Sequence, residues 1–152
     1  MLVDGYNVIH AWGLDVANLE DARHTLLHVL DDYAGFSGEN ITVVFDAYNK
    51  KTAGIEEKQG LVTVVYTEHG VTADTYIQRT VKQSKRRLKV VTADYLEQLS
   101  VFEAGAIRIT PGELKLYINA ARNKHAGHLH RSSLSGDDLK ARLMLDSIID
   151  QD

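Results

Sequence analysis

Four aspartates stand where chemistry can be assembled: Asp4, Asp46, Asp74 and Asp94. Asp4 follows Leu2-Val3, Asp46 ends the apolar run Ile41-Thr42-Val43-Val44-Phe45, and Asp94 comes shortly after Val90-Val91. Asp74 falls in the first turn of a segment with helical spacing. Carboxylates brought together repel and raise one another's pKa, so such a cluster is costly unless a cation neutralises it. Hard oxygen donors, without cysteine or an aligned histidine, select Mg²⁺ or Mn²⁺ over zinc. Ions of that kind activate water and stabilise a leaving oxygen in phosphodiester hydrolysis. Asn7 is a candidate to orient substrate or the carboxylates around it.

Each position also has an ordinary structural use. Asp94, three residues before Glu97, fits a helix cap as well as it fits a metal ligand. Asp74 fits a carboxylate stabilising a helix dipole, Asp4 and Asp46 fit turns after strands, and Asn7 fits an Asx-type turn. What favours a site is that four such positions recur in one alternating pattern of elements.

The pattern opens with Leu2-Val3 as the end of a buried strand with little length before Asp4, followed by a loop over Asp4-Gly5-Tyr6-Asn7. Leu19, Ala22, Leu26, Val29, Leu30 and Tyr33 lie on one face at helical spacing, and Gly35 and Gly38 are expected to end that helix. Residues 41–45 read as a strand buried on both faces. Residues 47–60 are polar with two glycines and read as a long loop or a short surface helix. Further strands are expected at Leu61–Tyr66, Leu88–Val91 and Ala106–Ile109, and helices at Thr72–Ser84 and Tyr95–Ala104. Pro111 suits the first turn of a helix reaching Arg122, after which a loop (Asn123–Gly136) and a helix (Asp137–Ile149) close the chain. Strands alternating with helices predict an α/β fold, a mostly parallel sheet between two helical layers. In such sheets ligands bind at the carboxyl ends of the strands, where Asp4, Asp46 and Asp94 fall.

The 152 residues, 44% hydrophobic, suit one domain with a single core. The absence of cysteine excludes disulfides, thiolate zinc sites and a cysteine nucleophile, and it suits a reducing cytoplasm. No apolar run approaches the roughly 20 residues that span a bilayer. A net charge of −4 argues against coating nucleic acid by bulk charge, yet local basic clusters occur. One contains Lys82, Lys85, Arg86, Arg87 and Lys89; another contains Arg122, Lys124 and Arg131 with His125, His128 and His130. Lys82, Lys85, Arg86 and the Lys50-Lys51 pair are candidates to grip a phosphate backbone, and Tyr6 or Tyr48 to stack on an unpaired base. His24 and His28, four residues apart opposite the apolar stripe, read as solvent-facing, and His125, His128 and His130 as part of the loop, with contact to RNA or a metal as the alternative. Neither a phosphate-binding Gly-rich loop nor a dinucleotide Gly pattern is present. An aspartyl-phosphate phosphatase would normally carry a second aspartate where Tyr6 stands.

Leu2-Val3-Asp4-Gly5-Tyr6-Asn7-Val8-Ile9 resembles the opening motif of NYN domains of the YacP-like family, relatives of PIN nucleases. The similarity continues through Val43-Val44-Phe45-Asp46-Ala47, Val71-Thr72-Ala73-Asp74-Thr75-Tyr76-Ile77 and Val90-Val91-Thr92-Ala93-Asp94-Tyr95 with Gln98 following, and covers nearly the whole chain. The resemblance implies a PIN-like, Rossmann-like three-layer sandwich over residues 1–152, a Mg²⁺ or Mn²⁺ site and endoribonuclease activity. The family includes a ribosome-associated enzyme that cuts messenger RNA. On this reading Asp4, Asp74, Asp94 and Asn7 are catalytic, and Asp4, Asp46, Asp74 and Asp94 bind metal. The alternative is a catalytically weak RNA- or ribosome-binding adaptor that keeps the fold.

Overall fold

In the computed structural model, residues 1–15, 17–47 and 53–126 are described. Strand β1 (Leu2–Asp4) leads directly into helix α1 (Gly5–Ala11), and α2 (Leu19–Ser37) precedes β2 (Thr42–Phe45). A hairpin of β3 (Glu56–Gln59) and β4 (Val62–Tyr66) comes next, then α3 (Ala73–Gln83), β5 (Lys89–Val91), α4 (Tyr95–Glu103), β6 (Ile107–Ile109) and α5 (Pro111–Ala126). The six strands form one sheet in the order β3-β4-β2-β1-β5-β6. All pairings are parallel except that of β3 with β4.

The alternation of side chains along buried strands divides the core into two layers. Val3, Val43, Phe45, Val62, Val64, Val91 and Ile109 face α1, α2 and α5. Leu2, Val44, Val65 and Val90 face α3 and α4 through Ile77, Val81 and Val101. This is the expected three-layer α/β arrangement. Although β1 has three residues, it is a central strand, paired with β2 on one side and β5 on the other. Asp4 at its end therefore rests on neighbours rather than on strand length.

Four local expectations are corrected. Residues 5–11 form a helix, not a loop, because Asp4 serves as its N-cap, accepting from the Asn7 N–H. Helix α2 runs through Gly35 and stops at Gly38, whose φ of 70° gives the left-handed cap that glycine favours. Residues 56–59 form a strand although all four side chains are exposed and no apolar alternation marks it. Its pairing with β4 depends on the turn at Gly60, where the Leu61 N–H donates to Asp31 at 2.6 Å. Finally, α5 continues to Ala126, with His125 stacked on Phe36 and its Nε2 3.0 Å from the Phe36 carbonyl oxygen. The remainder of the expected loop, with His128, His130 and Arg131, and the closing helix lie outside the described residues. Among the described residues no helix is long and apolar enough to cross a membrane.

Candidate active site

The chain moves from β1 toward β2 and β4 in one direction, then returns to place β5 and β6 on the other side of β1. Strand order therefore reverses beside β1 and β5, and the crevice at their carboxyl ends is where such sheets take ligands. Asp4 closes one side of this crevice and the turn from Thr92 to Glu97 closes the other.

Asp4 is 8% exposed. Its pKa is raised, chiefly by burial and further by the charges of Asp46 and Asp74, while the Asn7 N–H pulls it down. The residue most strongly affected is Glu97, at 4% exposure. Burial first, then the charges of Asp4 and Asp74, push its carboxyl up to about 8, against a lowering contribution from the Thr92 hydroxyl. Thr92 Oγ1 donates to Glu97 Oε2 at 2.6 Å, and the buried Glu97 Oε1 accepts no hydrogen bond among the described residues. Asp4 raises Glu97, whereas a hydrogen bond with Glu97 lowers Asp4, and two buried carboxylates acting on one another in this way are characteristic of functional sites.

The other aspartates take distinct places. Asp46 is half-buried and accepts from the Ala73 N–H at 2.8 Å, which ties the end of β2 to the start of α3. That tie positions Asp74, whose Oδ1 accepts from Gln78 Nε2 at 2.8 Å. Asp94 is exposed and caps α4, its Oδ1 accepting from the N–H groups of Leu96 and Glu97. Its charge is not among the causes that shift Asp4 or Glu97. Thus the charges of Asp46 and Asp74 act on Asp4, Asp94 stands exposed as a helix cap, and Glu97 holds the buried position beyond it. The sequence signal was present: Glu97 is three residues beyond a cap, on the turn that faces back over the strand end. The same spacing from Asp94 also fits half of a capping pair.

Asn7 does bridge elements. Its Oδ1 accepts from the Ala93 N–H, joining α1 to the turn after β5. Gln98 reinforces that turn from beneath, donating to the Thr92 carbonyl oxygen at 2.8 Å and accepting from Arg108 at 3.2 Å. Gly5 is required by proximity: a Cβ there would lie 2.2 Å from Phe45 Cε1, a ring with no exposure. Gly5→Ala is expected to cost about 1–3 kcal/mol by overpacking. Thermal unfolding should show it as a fall of several degrees, at about 2–4 °C per kcal/mol for a chain of this size.

The nucleic-acid contacts expected from sequence are placed differently. Tyr6 is 6% exposed and its ring lies 4.9 Å from that of Phe45, so it packs in the core and is not a surface platform for a base. Lys82, Lys85 and Arg86 are exposed but lie at and beyond the far end of α3 from Asp74, at the opposite edge of the sheet. Eight residues of helix put Lys82 about 12 Å from Asp74 along the axis. They do not flank the carboxylates. Lys89 in the same cluster pairs with Glu39. Lys50, Lys51 and Tyr48 lie outside the described residues. His24 is exposed, whereas His28, expected to face solvent, is half-buried with its Nδ1 enclosed.

Among the described residues no three histidine, aspartate or glutamate side chains are oriented to hold one ion together. The donor chemistry nevertheless suits a hard divalent cation. All the converging groups are carboxylates, and the buried Oε1 of Glu97 accepts no hydrogen bond among the described residues.

The YacP-like NYN domain model matches residues 1–150. The chain is 37% identical over 123 residues to the uncharacterized protein YacP of Bacillus subtilis (strain 168), covering 75% of this chain and 71% of that protein. A crystal structure of Rae1 (YacP) from Bacillus subtilis superposes with a TM-score of 0.69 at 26% identity, covering 96% of this chain and 87% of that one. Its W164L mutant gives 0.67 at 27% identity, covering 95% and 90%. The sheet, its reversal point and these similarities agree: the chain belongs to the YacP-like NYN domain family, which is PIN-like and nuclease-like.

Proposed function

We propose that this protein is a divalent-metal-dependent endoribonuclease that hydrolyses RNA phosphodiester bonds in the crevice between β1 and β5. The observation that carries the reading is the pair of mutually perturbed buried carboxylates, Asp4 and Glu97, at the point where strand order reverses. Asp4, Asp74 and Glu97 would hold Mg²⁺ or Mn²⁺, with Asp46 and Asp94 at the rim. When bound, such ions supply water activation and stabilise the leaving oxygen of an in-line displacement.

The chain's own groups hold this arrangement in place. The Thr92 hydroxyl orients Glu97, Gln98 fixes the Thr92 backbone, and the Asn7–Ala93 bond joins α1 to the turn after β5. Burial keeps competing water away from Asp4 and Glu97, which strengthens electrostatic interactions there. A messenger RNA substrate, action in association with the ribosome and a cytoplasmic location extend the same reading.

Product-end analysis tests it. Incubation of purified protein with a labelled RNA and Mn²⁺ is expected to yield 5′-phosphate and 3′-hydroxyl ends, and chelation by EDTA to abolish cleavage. Cyclic phosphate ends, or cleavage that persists in EDTA, would overturn the metal-dependent hydrolysis.

A further inference from the structure

Lys82, Lys85 and Arg86 lie at the far end of α3 from the carboxylates, and a different described cation stands near the carboxylate edge. Arg23, in the second turn of α2, is fixed there. Its Nη1 donates to the Tyr6 hydroxyl at 2.9 Å. Tyr6 follows the end of β1 by two residues, and its ring packs on Phe45, the residue immediately before Asp46. The Arg23 charge also acts on Tyr66, the last residue of β4. The guanidinium therefore sits over the carboxyl ends of β1, β2 and β4, on the α1–α2 side, with the carboxylates on the α3–α4 side. Two strand spacings, about 10 Å, separate the ends of β1 and β4.

Among the described residues Arg23 also has no ion-pair partner. Glu20, one turn earlier, contributes its charge, but Arg23 makes no ion pair with it or with any other described residue. Its anchor is a neutral phenol. One of five N–H donors is occupied by Tyr6, and the others keep the planar fork that matches phosphate oxygens. An arginine positioned by a buried hydroxyl, rather than by a carboxylate, retains its full charge for an anion.

We propose that Arg23, oriented by the Tyr6 hydroxyl, binds a backbone phosphate of single-stranded RNA whose chain crosses the sheet edge into the carboxylate crevice. The inference rests on the endoribonuclease reading for its substrate class and adds the binding residue and the path of the strand.

The test measures affinity separately from cleavage. Binding of a fluorescein-labelled single-stranded RNA oligonucleotide is titrated in EDTA at several salt concentrations, for the parent, Arg23→Gln, Arg23→Lys and Tyr6→Phe. Glutamine keeps a donor for the phenol, and circular dichroism and thermal unfolding confirm the fold of each variant. Arg23→Gln is expected to weaken binding about tenfold and to lower the slope of log affinity against log salt by about 0.7, the value for one phosphate on a single strand. Arg23→Lys and Tyr6→Phe keep the charge, so they retain the parent slope while losing part of the affinity. Parental affinity and slope in Arg23→Gln, an equal slope loss in Tyr6→Phe, or a parent that does not bind the RNA would each overturn the proposal. Arg23-dependent binding without Mn²⁺-stimulated cleavage would uphold it and defeat the nuclease reading alone.

Discussion

Replacing Asp74 by asparagine is expected to lower Mn²⁺-dependent RNA cleavage by more than about 100-fold, the upper end of what losing an outer partner of a metal site costs. Stability should change little. Asparagine has the same shape, its oxygen can still accept from Gln78 Nε2, and the tie from Asp46 to the Ala73 N–H is untouched. A carboxylate in the first turn of α3 contributes roughly 0.3–1 kcal/mol through the helix dipole. Its loss is opposed by relief of the repulsion that Asp74 exerts on Asp4 and Glu97. Single-turnover cleavage and thermal unfolding on the same preparations separate the two effects. Equal cleavage by parent and variant would assign the activity elsewhere and favour the adaptor reading.

Glu97→Gln is expected to produce the second large effect, on the pH dependence of stability. In the folded chain the Glu97 carboxyl is pushed up to about 8, while in the unfolded chain it returns to the ordinary value of 4.5. Between these values the folded state holds a proton that the unfolded state has released, so stability falls as pH rises. The contribution is fully present below about pH 4.5 and is lost as pH approaches 8. The slope has a ceiling of about 1.4 kcal/mol per pH unit, which residual solvent screening reduces. Glutamine is permanently neutral and can still accept from the Thr92 hydroxyl, so the variant should be flatter across this window and more stable than the parent near pH 8. Thermal unfolding in EDTA from pH 5 to pH 8.5 measures the difference directly. Parallel profiles for parent and variant would mean that Glu97 is not held neutral by its surroundings. Added Mn²⁺ should reverse the sign for the parent, since a cation binds the ionised carboxylate and gains affinity as the proton leaves.

Much of this architecture was legible because its causes are local. The apolar runs ending at Phe45 and Val91, the helical stripe from Leu19 to Tyr33 and Pro111 at a first turn each specify an element from nearest-neighbour physics. Their alternation then implies the parallel sheet and the edge where aspartates gather. Where local signals are weak, tertiary contacts decide: β3 carries only exposed polar residues, and its pairing is imposed by β4, Gly60 and Asp31. Helix α1 looked like a loop because its cap, Asp4, is also a catalytic candidate.

Sequence alone was enough to locate Asp4, Asp46 and Asp74 and the sheet edge that presents them, but not Glu97, since strand ends and helix starts are encoded by residue type and spacing. Which carboxylates meet was decided by tertiary structure. The crossing of α4 over the β1–β5 crevice turns Glu97 inward and leaves Asp94 at the rim as a cap. The same packing sends Lys82, Lys85 and Arg86 to the far end of α3 and brings Arg23 of α2 to the near edge. Spacing along the chain sets the face of a helix on which a side chain lies; only the docking of that helix sets what it faces.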